Sequence, residues 1–233
     1  MKKYFLLLFI VSSALATPTF KAVNHGSFVI ESEEKKILVD PVGSYLKYKI
    51  FGRPELILIT HTHPDHLDEA LLKQLKGPKT HIMGPKSVIE KLGYGEIINN
   101  GETKKYLKFE IEAIPAYNLT AERKNFHIKG DFNGYVVTAE NSRIYISGDT
   151  EDIPEMRSLK NIDFAFVCMN LPYTMDIEHA ANAVLDFKPA EVFPYHYRNK
   201  TPEGVSYSDL TKFKELVETK NPKIKVTLLK WYE

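Results

Sequence analysis

Apolar positions along this chain recur mostly at every second residue or in short unbroken runs, which is the habit of strands more than of long helices. Residues 20–23, 27–31 and 36–39 read as three short strands, with a charged turn at Glu33-Glu34 and an end at Asp40-Pro41. A loop with Tyr45 and Tyr48, which either borders a substrate cleft or is a surface loop with aromatic stems, precedes the apolar run Leu56-Ile57-Leu58-Ile59. Leu67, Leu71, Leu72 and Leu75 then fall at helical spacing and stop before Gly77-Pro78. Further on, 80–83 and 96–98 predict strands around a short helix at 86–92, and 107–114 alternates as a half-buried strand does. A polar loop over 119–133 leads to a hairpin, 134–138 and 143–147, turning at Asn141-Ser142. The last third predicts a strand at 162–169, a helix at 177–187 and a strand at 191–193. A helix started by Ser208-Asp209 and running to Glu218 follows, with a closing strand at 224–229. Strands that feed loops, with helices between them, predict an α/β chain of two packed sheets with helices outside.

The first residues break this pattern. Lys2-Lys3, an apolar segment over 4–11 and Ser13-Ala14-Leu15-Ala16 read as a secretory signal peptide cut after Ala16. The segment is too short for a membrane span, which takes about 20 apolar residues. The expectation is an exported protein, periplasmic or secreted, whose single domain is residues 17–233. Losing Lys2 and Lys3 moves the formal net charge from +1 to near −1, without the basic excess that a nucleic-acid surface requires. The lone cysteine, Cys168, lies in an apolar run and reads as a buried core thiol; no internal disulfide is possible.

The chemistry concentrates in Thr60-His61-Thr62-His63-Pro64-Asp65-His66-Leu67-Asp68, directly after the 56–59 run. An apolar strand that stops in a polar loop holds its side chains at the open end of a sheet, where ligands converge from several directions. The spacing H-x-H-x-D-H offers two imidazoles to one metal ion, and a carboxylate plus a third imidazole to a second. His81, at a strand start, and His179, in the first turns of a helix, read as structural or solvated. Tyr173, in the loop 170–175, is a candidate donor to a developing oxyanion. Lys124, Lys129 and especially Arg198 are candidates for binding an anionic group.

The nonapeptide resembles the H-x-H-x-D-H signature of the metallo-β-lactamase-fold hydrolases. Ser147-Gly148-Asp149-Thr150 resembles that family's G-D-T segment, and Pro194-Tyr195-His196-Tyr197 its last histidine loop. Asn24-His25-Gly26-Ser27 and Leu38-Val39-Asp40-Pro41 resemble the opening of the branch that holds the ascorbate-phosphate lactonases and the N-acyl-phosphatidylethanolamine phospholipase D enzymes. The resemblance implies an αββα sandwich of two mixed sheets with outer helices. It also implies a site in which His61 and His63 hold one metal, Asp65, His66 and His196 a second, and Asp149 bridges both. The implied cofactor is zinc, two ions per chain, with manganese or iron as alternatives; the implied reaction is attack by a shared hydroxide, which Asp65 orients. His25, within a family motif, is a further candidate for the site.

One departure stands out. The family places a third histidine for the first metal after the strand that here ends Pro115-Ala116-Tyr117-Asn118, and none is there. His127 from the long loop, the amide oxygen of Asn118, or a site holding a single metal are the alternatives. The expected activity is hydrolysis of a small-molecule ester, lactone, amide or phosphodiester. A mononuclear iron dioxygenase on the same fold, or a non-catalytic metal-binding protein, are the rival classes. Nothing in the sequence speaks to oligomeric state.

Overall fold

The computed structural model describes residues 17–232, so the expected signal peptide lies outside the described residues. Two mixed sheets face one another. The first has the order β1 (Thr19–Asn24), β2 (Ser27–Ser32), β3 (Lys35–Val39), β4 (Leu56–Leu58), β5 (His81–Gly84) and β6 (Glu96–Ile97). Its first three strands form an antiparallel meander and the rest run parallel. The second sheet is built from β7 (Thr103–Tyr106), β8 (Phe109–Ala116), β9 (Phe132–Ala139), β10 (Ser142–Ile146), β11 (Phe164–Cys168), β12 (Glu191–Tyr195) and, beyond a separate hairpin, β15 (Lys225–Val226). Here β7 to β10 pair antiparallel, while β10, β11, β12 and β15 are parallel. Strands β13 (Arg198–Thr201) and β14 (Gly204–Tyr207) pair only with each other.

Period-two alternation decides what each sheet face buries. Phe28, Ile30, Ile37, Val39, Leu56 and Leu58 point between the sheets, into one continuous core with Ile111, Tyr135, Val137, Ile144, Ile146 and Phe166. Their sequence neighbours Val29, Leu38, Ile57 and Ile59 face the other way, against Leu71, Leu72 and Leu75 of α2 (Glu69–Leu75) and Val88 of α3 (Lys86–Leu92). Each such fully buried side chain contributes on the order of 1.5–3 kcal/mol. The second sheet is covered by α5 (Ile177–Phe187), whose Ala180, Ala181, Val184 and Phe187 are buried, and by α6 (Leu210–Lys220) behind it. The result is the αββα sandwich that the strand and helix order predicts. Among the described residues, no helix is long and apolar enough to cross a membrane.

The structure corrects several local expectations. Where a loop was expected around Tyr45 there is a short helix, α1 (Tyr45–Lys49), and Tyr48 borders no cleft: it is buried, with its hydroxyl donating to Val42 O at 2.9 Å. Helix α2 begins at Glu69 and not at Leu67, because Asp68 caps it by accepting from Leu71 N at 2.9 Å. Strands β7, β13 and β14 and helix α4 (Pro154–Arg157) escape the periodicity reading, being too short or too polar to carry a period. Strand β9 begins two residues earlier than expected, and β15 covers only Lys225–Val226, not 224–229.

Cys168 is wholly buried, and burial pushes its thiol pKa up to about 12. An aromatic disulfide reagent at pH 8 should therefore leave the folded protein unmodified and titrate one thiol after denaturation. Rapid reaction of the folded chain would contradict the burial.

Candidate metal centre

The candidate ligands sit at one edge of the sandwich, most of them on loops that leave the C-terminal ends of parallel strands. His61, His63, Asp65 and His66 follow β4; Asp149 follows β10; His196 follows β12. That is where ligands gather in open α/β sheets, since strand ends splay there and leave a crevice. Two hairpin elements complete the ring. His25 stands in the two-residue turn between β1 and β2, and His127 in the loop between β8 and β9. Three of these site positions bend the backbone into the left-handed region: His25 (φ 51°), Asp40 (φ 43°) and His196 (φ 48°). Such conformations cost of order 1–3 kcal/mol each in non-glycine residues, and they cluster at sites where side-chain direction matters.

The ligand atoms fall into three groups, each with its atoms within 4.8 Å of one another: His61, His63 and His127; His61, His66 and Asp149, which share His61 with the first; and His25, Asp65 and His196. His61 Nε2 lies 3.1 Å from His63 Nδ1. Asp149 spans the ensemble, with Oδ2 at 3.4 Å from His127 Nε2 and Oδ1 at 3.4 Å from His66 Nε2 and 3.7 Å from His196 Nε2. On the outer side Asp65 Oδ2 lies 3.2 Å from His25 Nε2 and 3.5 Å from His196 Nε2. The facing atoms His66 Nε2, His127 Nε2, His196 Nε2 and Asp149 Oδ1 are buried without hydrogen-bond partners. Buried polar atoms are otherwise nearly always paired, so this convergence of unpaired nitrogen and oxygen donors fits divalent metal ions.

The charge states agree with that chemistry. Burial holds His61 well below its ordinary pKa and lowers His63, and it brings His25 down to about 4, so these imidazoles stay neutral with a lone pair to offer. Burial opposes ionisation of Asp149, yet the His196 and His66 charges outweigh it and keep the carboxyl well below the usual range. Asp65 behaves alike: burial opposes its charge, and hydrogen bonds from His196 and His25 overcome the opposition.

Around this ring lies a supporting shell. Asp40, at the end of β3, accepts from Thr60 N at 2.7 Å, from Thr60 Oγ1 at 2.6 Å and from His66 Nδ1 at 2.7 Å. It therefore fixes the tautomer of His66 with Nε2 turned inward, the carboxylate–histidine arrangement common behind metal ligands. Thr60 Oγ1 lies 2.9 Å from His61 Nδ1, turning that ring the same way. Tyr232, near the C-terminus, places its hydroxyl 2.6 Å from His25 Nδ1. Gly26 is needed for space: a Cβ there would stand 3.0 Å from His66 Cε1 and 3.2 Å from His196 Cδ2.

His127 reaches the centre because its loop is pinned from behind. Asn118 N donates to His127 O at 3.0 Å, and the Asn118 amide nitrogen donates to Arg123 O at 2.9 Å and Tyr173 O at 2.7 Å. The Asn118 side chain stands behind the ring, with Nδ2 3.1 Å from His127 Nδ1, while His127 Nε2 faces Asp149. Glu151, buried just past Asp149, takes Leu119 N at 2.6 Å, Thr120 N at 2.7 Å and Arg123 Nη1 at 2.9 Å. Glu151→Ala should free this loop, cost about 2–3 kcal/mol of stability, and lower metal content at the His61–His63–His127 group before the other; equal metal occupancy in variant and wild type would refute that role.

Sequence reading singled out none of Asp40, Thr60, Glu151 or Tyr232 for the site, although Thr60 and Asp40 lay in quoted motifs. His81 and His179 stand apart, paired with Glu96 at 2.6 Å and Asp176 at 2.7 Å. Lys129 is exposed, beside Tyr117 and Glu155, and Lys124 lines a separate pocket with it. Tyr173 and Arg198 line the main cavity, of about 700 Å³, which opens over His25, His63, Asp65, His127 and Asp149.

An αββα sandwich with histidines and aspartates gathered at one sheet edge defines a metallo-β-lactamase-fold metal-dependent hydrolase, and residues 19–196 match the beta-lactamase superfamily domain. A UPF0173 metal-dependent hydrolase of Pyrococcus furiosus is 34% identical over 222 residues, covering 89% of this chain and 94% of that protein. A crystal structure from Parabacteroides distasonis, described as a metal-dependent hydrolase, superposes with a TM-score of 0.83 at 36% identity, over 92% of this chain and 94% of the other. The metallo hydrolase Igni18 of Ignicoccus hospitalis shares the fold, with a TM-score of 0.76 at 24% identity over 93% and 96% of the two chains. The chain belongs to the UPF0173 metal-dependent hydrolase family of the beta-lactamase superfamily.

Proposed function

We propose that this hydrolase holds two divalent ions, zinc by the preference of mixed imidazole and carboxylate sets, and cleaves an ester, lactone, amide or phosphodiester bond in a small molecule. His61, His63 and His127 would hold the first ion and Asp65, His66 and His196 the second, with Asp149 between them. Bound there, such ions supply a Lewis acid and water acidified to near neutral pH. Asp65, half-exposed toward the cavity, orients the attacking water by accepting its hydrogen bond. Asp40 and Thr60 keep His66 and His61 turned inward, and Tyr232 holds His25 against Asp65 and His196. The observation that carries this reading is the position of Asp149, whose two oxygens face opposite histidines. His25, Gly26 and Asp40 come from the two segments that resemble the lactonase and phospholipase D branch, which supports placing the substrate chemistry near that branch. We further propose that residues 1–16 direct export, leaving 17–233 as the working domain.

The test is metal analysis of the purified protein together with assays on bis(4-nitrophenyl) phosphate and a nitrophenyl ester. About two zinc ions per chain with chelator-sensitive turnover is the expected result. One iron per chain with oxygen consumption, or bound metal with no turnover on any ester or phosphodiester, would replace this reading with the oxygenase or the non-catalytic alternative.

A further inference from the structure

The cavity above the metal centre is asymmetric. On the side of His25 and His196, its wall is the β13–β14 hairpin, which presents Arg198 and Lys200, both exposed. The Arg198 guanidinium carbon lies 5.8 Å from the ring of Tyr232, the residue whose hydroxyl meets His25. Among the described residues, neither cation has a carboxylate partner, and the only acids lining the cavity are the candidate ligands Asp65 and Asp149. Beside His127 the wall is aromatic. Phe126 and Tyr173 meet edge to face with centroids 5.1 Å apart, and Phe126 is 37% exposed. The hairpin is held in place by Leu171 N donating to Asn199 Oδ1 at 2.7 Å and Lys200 N donating to Leu171 O at 2.9 Å, so the two walls share the loop that carries Tyr173.

We infer that the substrate is an amphiphilic anion, with a carboxylate or phosphate on one side of the scissile bond read by Arg198 and an apolar arm on the other packed on Phe126 and Tyr173. This rests on the hydrolase reading only in placing the scissile bond over the metal centre. An arginine guanidinium without a carboxylate partner binds an anion through charge-assisted, often bidentate hydrogen bonds. An aromatic pair with free edge surface favours an alkyl or aryl group.

Calorimetry on the metal-replete protein separates this from the activity itself. Benzylsuccinate carries a benzyl arm and two carboxylates, one for the metal centre and one for Arg198; 3-phenylpropionate lacks the second carboxylate. Wild type should prefer benzylsuccinate by about tenfold or more, as one charge-assisted hydrogen bond allows. R198A should reduce that preference to about twofold or less, and R198K should restore part of it. F126A should weaken both probes together while leaving succinate binding unmoved. Wild-type indifference to the second carboxylate, or a preference that survives R198A, would overturn the inference. A wild type that binds with this preference yet hydrolyses no ester or phosphodiester would leave the anion site standing and remove only the proposed reaction. Arg198 is exposed, so thermal unfolding of R198A should match wild type and exclude misfolding as the cause.

Discussion

Asp149→Asn should abolish turnover, by roughly a thousandfold or more, and take metal from both groups at once. An outer-shell partner of a metal ligand is worth about 10–100-fold, and Asp149 has a more direct place. Its Oδ2 faces His127 Nε2 at 3.4 Å, while its Oδ1 faces His66 Nε2 at 3.4 Å and His196 Nε2 at 3.7 Å. The amide keeps the shape but loses the charge that gathers these imidazoles, and one of its two oxygens becomes an NH2 group with no lone pair to offer a metal. The far-UV spectrum should not change, since Asp149 leaves β10 and takes part in no strand pairing. Metal analysis and a thermal melt decide the matter. A variant that keeps two ions per chain would show that Asp149 is not shared.

Asp40→Ala is the second substitution with a large expected effect, and it acts without touching substrate. Asp40 is fully buried and serves three donors: Thr60 N, Thr60 Oγ1 and His66 Nδ1. Breaking a buried charge pair by removing one partner costs about 3–5 kcal/mol, which in a chain of this size lowers the melting temperature by roughly 10 °C. Metal affinity should fall by about 10–100-fold as His66 loses its orientation. The pH dependence has a definite sign in chelator-treated protein. Burial opposes charge on His66, but Asp149 and Asp40 outweigh it and hold its pKa up to about 9. A histidine raised in the folded state stabilises fully below its ordinary pKa of about 6.5, and that contribution is lost as pH rises through the folded value. The penalty of Asp40→Ala should therefore be greatest below about pH 6.5 and shrink toward pH 9. A penalty constant across that window would mean that His66 is not the partner Asp40 stabilises.

These two residues differ in how they could be found. Asp149 announces itself: it follows an apolar hairpin strand, in a segment that resembles a family motif. Asp40 also lies in such a segment, but nothing in Leu38-Val39-Asp40-Pro41 says that its carboxylate will meet a threonine and a histidine twenty or more residues ahead. That meeting depends on the parallel pairing of β3 with β4, which sets Val39 beside Leu58 and so brings the two strand ends together. Glu151 and Tyr232 are further removed. Each does its work through a loop or terminus whose path no local pattern encodes.

The sequence alone was enough for the two-sheet architecture, because alternation and apolar runs follow from the period of a strand and the need to bury one face. It was enough, too, for the ligand-rich nonapeptide, since those residues are neighbours in the chain and leave strand β4 together. It left open what stands beside His61 and His63, with His127 as one of three alternatives. His127 is brought there by Asn118, Glu151 and a long polar loop, contacts between groups far apart in sequence. The hairpin that gives the cavity its charged wall was hidden, because β13 and β14 are polar strands held by backbone hydrogen bonds, and backbone hydrogen bonds leave no mark in side-chain identity.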